Sequence, residues 1–426
     1  MVYVSMKYKL SVLLFLLILL VCVSLSGTAE VLSEEAFSLL EETTVIRSEN
    51  SPTGYYVTFR YKNAEAYRVR IRGEWSFSSA RTSTTQTYNA VMPDSYQSGM
   101  FPMQLSADTW PIVDMALDEA TGIWSYTIPL PCGVWSYRFI INGSETADPL
   151  DCDGALSITD PNNPPIARGE GQQTNSQIYV PFDPERQDTD FSVQAKRTDG
   201  KTGTLEIISY DASSLTYTLL DEPAVAVYLP YGYDENREDP YKVLYTSHGA
   251  GIESETSWWN KGVIGNITDN LIADAGIEPF VIVMMNNYAD SFDHHNLINN
   301  IIPLIEQRYN VRSDPDGMAI CGISKGAILA KNILLDSPEI FRYYGLFSGS
   351  YFSESSEQFD PERISSCRIY LASGERELGL PAICRTIEKL VYAGKTDLHM
   401  FTIMGGHNWY VWRQIYTDFV MNELWK

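Results

Sequence analysis

The chain has 426 residues and a formal net charge of −23, from 54 acidic against 31 basic side chains. A surface this acidic repels phosphate backbones and argues against a nucleic-acid partner. The length allows two or three domains, each with its own core.

The amino terminus places Lys7 and Lys9 ahead of an apolar run from Leu10 to about Val23, followed by Ser24 and Ser26, then Gly27 and Ala29. A basic start, an apolar middle and small residues at the end are the pattern of a secretory signal peptide, expected over residues 1–29. Export would put the protein outside the cell or in a periplasm, with no membrane attachment after cleavage. Nothing else in the chain reaches the roughly 20 apolar residues that span a bilayer.

From residue 45 to 165 the pattern is one of short strands. Tyr67, Val69 and Ile71 alternate with Arg68, Arg70 and Arg72, so one face is apolar and the other charged. GIWSYTIPL and GVWSYRFIING are aromatic-rich strands, and Asn142-Gly143 is a hairpin signal. An all-β, immunoglobulin-like sandwich is expected. Cys132 and Cys152 both fall here and form the favoured disulfide pair, while Cys321 reads as a small buried hydrophobe. Residues 166–203, with GEGQQTNSQ and DPERQDTD, have the composition of a linker.

Beyond it, residues 204–426 alternate buried-strand candidates with helical patterns. The strand candidates include AVAVYLP, KVLYTS, FVIVMMN, MAICGI, YYGLFS, CRIYLAS and LHMFTIM. Leu297, Ile301 and Ile305 lie four apart on one helix face. This order predicts a mostly parallel sheet with helices on both faces.

Within that region Gly322-Ile323-Ser324-Lys325-Gly326 matches G-x-S-x-G between an apolar strand and a helix. There the serine would stand on a sharp turn with its hydroxyl exposed. Such a hydroxyl needs an imidazole to take its proton, and the chain has only 5 histidines. His294 and His295 open a helix and read as exposed, His399 sits inside a strand, and His248 precedes Gly249. His407 follows a strand and two glycines, in the loop position where reactive groups gather. It is the candidate base. The orienting acid lies between serine and histidine in chain order, which leaves Glu375 and Glu377 in GEREL, and more distantly Asp397. The oxyanion of an acyl intermediate requires backbone N–H donors. Lys325 supplies one, and His248-Gly249-Ala250-Gly251 supplies a second through Gly249 or Ala250. No metal or other cofactor is called for. Trp258, Trp259, Trp409 and Trp412 flank these loops as candidate substrate-stacking residues.

Taken in order, VYLPYGYDEN, YKVLYTSHGAG, IIPLIEQRYNV, CGISKGA, FRYYGLFSGSY, ASGEREL and GGHNWYVWR resemble the esterase-D-like α/β-hydrolases of carbohydrate esterase family one. That family includes feruloyl and acetyl xylan esterases, and the likeness runs from Thr204 to Trp425. It implies Ser324 as nucleophile, His407 as base and Glu377 as acid. Two positions depart from the family: the acid is normally Asp, and Lys325 and Ala327 stand where Met and Gly are usual. The first region resembles the carbohydrate-binding module family 48 sandwich, in which Trp75, Trp124 and Trp135 would form either a sugar platform or the core. The resemblance implies a secreted serine esterase acting on acylated xylan or a related oligosaccharide ester. A siderophore hydrolase of the enterobactin-esterase kind and an inactive carbohydrate-binding protein are the alternatives.

Overall fold

The computed structural model of the chain describes residues 42–78, 90–102, 110–143, 156–158, 160–162, 175–211, 223–250, 253–286, 294–349, 360–395 and 397–426. The apolar amino-terminal run, Cys152 and Gly251 lie outside these residues.

The first region is all β. Thr44–Arg47, Tyr55–Lys62, Ile123–Pro129 and Ala116–Asp118 form one antiparallel sheet. Leu156–Ile158, Gly133–Ile141, Val69–Gly73 and Ile112–Asp114 form the second. The sheets pack across one core, to which Val57, Phe59 and Ile128 come from the first and Val69, Ile71, Tyr137 and Phe139 from the second. Alternation therefore set the core face at Val69 and Ile71, as period two demands. Tyr67, read as a member of that face, is 67% exposed, whereas Arg70 is 6% exposed. Trp75, Trp124 and Trp135 lie in the core and present no sugar platform. Ser176–Val180 pairs antiparallel with Gly133–Ile141, so a strand occupies part of the stretch whose polar composition suggested a linker. Cys132 is a buried free thiol among the described residues, and its expected pairing with Cys152 lies outside them; its Sγ accepts the Phe191 N–H at 3.4 Å, and burial pushes its pKa up to about 11.

The second region is built on an eight-stranded sheet. Its strands are β1 (Thr204–Ser209), β2 (Ala224–Leu229), β3 (Val243–Ser247), β4 (Val281–Met285), β5 (Met318–Ile323), β6 (Tyr343–Phe347), β7 (Arg368–Gly374) and β8 (Leu398–Ile403). Their spatial order is β1-β2-β4-β3-β5-β6-β7-β8. β1 and β2 are antiparallel to their neighbours, and every pairing from β4 to β8 is parallel.

Helices cover both faces: α1 (Ile264–Ala275) and α5 (Trp409–Asn422) on one, α2 (Ile302–Arg308), α3 (Lys325–Asp336) and α4 (Leu380–Tyr392) on the other. The β5 side chains divide between the two cores, Met318 and Ile320 joining one and Ala319, Cys321 and Ile323 the other. β4 divides the same way, with Val281 and Val283 opposite Ile282 and Met284. A strand apolar on both faces belongs in the middle of a covered parallel sheet, so both strands are central. The order β4-β3-β5 reverses direction at β3. In open sheets of this kind, ligands collect beyond the carboxyl ends of the strands near such a reversal.

The two regions are tied through Arg413 of α5, which is 1% exposed. Its guanidinium donates to the Val134 carbonyl of the β region at 2.8 Å and to the Lys261 carbonyl at 2.8 Å. Beside it, Asn408 donates through Nδ2 to the Pro102 carbonyl at 3.3 Å.

Candidate active site

Ser324 is the single residue between β5 and α3, with φ 51° and ψ −111°. A non-glycine residue at positive φ is strained by contact of its Cβ with the backbone, and here the surroundings hold it in place. The Ser324 N–H donates to the Phe347 carbonyl at 2.9 Å. Both flanking glycines are sterically required. A Cβ at Gly322 would lie 2.2 Å from the Gly326 carbonyl carbon, and one at Gly326 would lie 2.3 Å from the Ser247 carbonyl oxygen. The first glycine lets α3 fold back on β5; the second lets it press against the end of β3.

The loop after β3 meets Ser324 directly, since a Cβ on Gly249 would stand 3.5 Å from the Ser324 Cβ. His248 fixes that loop from beneath. It is fully buried, with Nδ1 2.7 Å from the Gly249 carbonyl oxygen and Nε2 3.3 Å from Asn286 Oδ1. Burial holds its pKa below the ordinary imidazole value. Lys325 opens α3, and burial lowers its ammonium pKa. Ala250 is exposed at the mouth of the loop.

The turn after β7 and the loop after β8 knit together. The N–H groups of Glu375 and Arg376 donate to the Ile403 and Gly405 carbonyls at 2.8 and 2.9 Å. A Cβ on Gly374 would lie 2.4 Å from the Gly405 oxygen, so the turn needs a bare backbone there. This crossing brings Glu377 Oε2 to 2.8 Å from His407 Nδ1. Glu377 is 7% exposed, whereas Glu375 points to solvent and Asp397 lies 3.8 Å from Arg368. Of the three acids considered, Glu377 alone touches the candidate base.

Glu377 Oε1 receives two further donors, the Gly374 N–H at 2.8 Å and the Ser348 hydroxyl at 2.6 Å. Ser348 directly follows β6, and its neighbour Gly349 packs against the backbone of Ser324: a Cβ there would lie 2.3 Å from the Ser324 carbonyl oxygen. Ser324, Ser348, Glu377 and His407 therefore follow β5, β6, β7 and β8 in turn, along one rim of the sheet. Ser348 was missed by sequence reasoning, although a Ser-Gly-Ser directly after an apolar strand is a visible signal.

The four tryptophans are placed mostly for packing. Trp258 is 1% exposed and packs against Trp409 at 5.4 Å and Tyr416 at 5.9 Å, so no face of it is open for stacking. Trp409 is 8% exposed. Trp259 is partly buried against Tyr228. Trp412, 7% exposed, meets the His407 ring edge to face at 4.9 Å and braces it.

His294 is buried at 8% exposure rather than solvated, with Nδ1 3.9 Å from Asp336 Oδ2, whereas His295, stacked on it, is exposed as expected. His399 pairs with Glu423 on β8. Among the described residues, no group of three His, Cys, Asp or Glu side chains is gathered to hold a metal ion.

The family model described as "Putative esterase" matches residues 217–420. A protein of Xylanibacter ruminicola named endo-1,4-beta-xylanase/feruloyl esterase is 30% identical over 314 residues, covering 70% of this chain. The chain spans 39% of that relative's length. Endo-1,4-beta-xylanase Y of Acetivibrio thermocellus is 29% identical over 159 residues, 34% of this chain and 14% of its own. Among solved structures, the enterobactin esterase of Shigella flexneri superposes with a TM-score of 0.54 at 18% identity, covering 93% of this chain and 99% of its own. That likeness extends over the β region as well as the sheet, and it shows a shared fold.

Proposed function

We propose, from the match of residues 217–420 to the esterase family model, that the protein is an exported serine esterase that removes acyl groups from plant polysaccharide, with Ser324, His407 and Glu377 as its triad. The observation that carries this reading is the 2.8 Å contact between His407 Nδ1 and Glu377 Oε2, on the same sheet rim as the Ser324 turn.

In the proposed reaction, Ser324 Oγ attacks the ester carbonyl as His407 Nε2 takes its proton. Glu377 holds the Nδ1–H tautomer and stabilises the imidazolium that forms. The oxyanion accepts from the Lys325 N–H and from an N–H of the Gly249–Ala250 loop. His407 then returns the proton to the leaving alcohol, and the acyl group remains on Ser324. Water, deprotonated by the same imidazole, attacks the acyl-enzyme and releases the acid. The xylanase and feruloyl esterase names of the relatives favour a hydroxycinnamoyl or acetyl ester of xylan as substrate. The basic and apolar start of the chain supports export, and no helix among the described residues is long and apolar enough to cross a membrane.

A second reading, hydrolysis of a catecholate siderophore ester, is favoured by the two-region fold shared with the Shigella flexneri enterobactin esterase. The net charge of −23 disfavours an anionic iron-loaded substrate. Incubation with feruloylated xylan fragments, acetylated xylan fragments and a cyclic catecholate trilactone, followed by quantification of released acids, separates the two. Turnover of the trilactone alone would contradict the polysaccharide reading.

A further inference from the structure

We propose that Ser348 is a positioning residue that fixes the rotation of the Glu377 carboxylate and so the aim of His407. The role rests on the proposed triad and deepens it.

Ser348 is 2% exposed, with backbone φ 53°. Its hydroxyl has two neighbours. Trp412 Nε1 lies at 2.9 Å and Glu377 Oε1 at 2.6 Å. An indole N–H only donates, so the serine oxygen accepts from Trp412 and directs its own proton at Glu377. The distance to the carboxylate is that of a charge-assisted O–H···O bond.

The chemistry needs such a restraint at this position. Glutamate has one more side-chain torsion than aspartate, so its carboxylate samples more orientations unless something holds it. Oε1 is held by two donors, the Ser348 hydroxyl and the Gly374 N–H, and this leaves Oε2 for His407 Nδ1. Trp412 completes the arrangement, because the indole that binds Ser348 also packs edge to face on the His407 ring. The strained backbone of Ser348 is held by its N–H bond to the Ala372 carbonyl at 2.8 Å.

The informative variant is Ser348→Gly, which removes the hydroxyl and suits positive φ, so the fold is kept. We expect kcat on an activated aryl ester to fall roughly ten- to hundredfold, with KM changed by less than about twofold, as for other lost orienting contacts. In a Glu377→Ala background the same change should have no further effect on kcat, since Ser348 acts through the carboxylate. Wild-type kcat in Ser348→Gly, with Ser324→Ala inactive, would overturn the positioning role and leave the triad standing. An equal fall in kcat with and without Glu377 would also overturn it, by assigning the loss to structure. Retained turnover in Ser324→Ala would overturn both.

Discussion

Glu377 and His407 are 30 residues apart in the chain, yet Oε2 of one lies 2.8 Å from Nδ1 of the other. The contact exists because the turn after β7 and the loop after β8 exchange backbone hydrogen bonds over Gly374. Glu375, two residues earlier, sits on the solvent side of the same turn.

This arrangement predicts different roles for the two glutamates. Glu377→Gln keeps the shape but offers an amide that favours the wrong imidazole tautomer, and kcat on an aryl ester should drop by about three to four orders of magnitude, the scale known for such replacements. Glu375→Gln should leave kcat within about twofold. Steady-state kinetics on the two variants checks the assignment.

The glycines around Ser324 predict different failures. An alanine at Gly326 would put its Cβ 2.3 Å from a backbone oxygen, which only a backbone shift relieves. Gly326→Ala should cost about 2–3 kcal/mol or prevent folding. Gly249→Ala meets Ser324 Cβ at an ordinary 3.5 Å. It should fold normally and lose activity by crowding the nucleophile. Melting temperature and kcat/KM measured side by side distinguish these effects.

His248 predicts a component of acid instability. Burial depresses its folded pKa below the unfolded value of about 6.5. The unfolded chain therefore binds the proton more readily. The stabilisation is complete above about pH 6.5 and declines as the pH falls through the folded pKa. His248→Gln should be less stable near neutrality and show a shallower loss of stability as the pH falls below about 6.5, measured by denaturant unfolding at fixed salt.

Arg413 predicts coupling between the two regions. Arg413→Leu leaves the Val134 and Lys261 carbonyls without their donor, at a cost of roughly 2–4 kcal/mol for two buried acceptors. Its unfolding should split into two transitions by calorimetry, where the wild type shows one.

Much of the fold was legible because the second region obeys local rules. The both-faces-apolar strands, the G-x-S-x-G turn and the His-Gly-Ala-Gly loop each impose a backbone constraint that only a few residue types satisfy. The choice between Glu375 and Glu377 was not readable from spacing alone, since it depends on how the turn rotates once β8 has docked; the family resemblance pointed to Glu377. The tryptophans misled for a related reason. A large ring beside a reactive loop looks the same in sequence whether it faces a ligand or, like Trp258, fills the space behind the loop. Ser176–Val180 became a strand despite polar flanks because Gly133–Ile141 offered an unpaired edge, a tertiary fact that composition does not carry.

The central claim is that Ser324 is an acylated nucleophile served by His407. Intact-protein mass spectrometry after exposure to a fluorophosphonate tests it most directly. A single adduct on the wild type, mapped to Ser324 and absent from both Ser324→Ala and His407→Ala, is the predicted result. An unlabelled wild type that still hydrolyses esters, or an adduct on another serine, would contradict it.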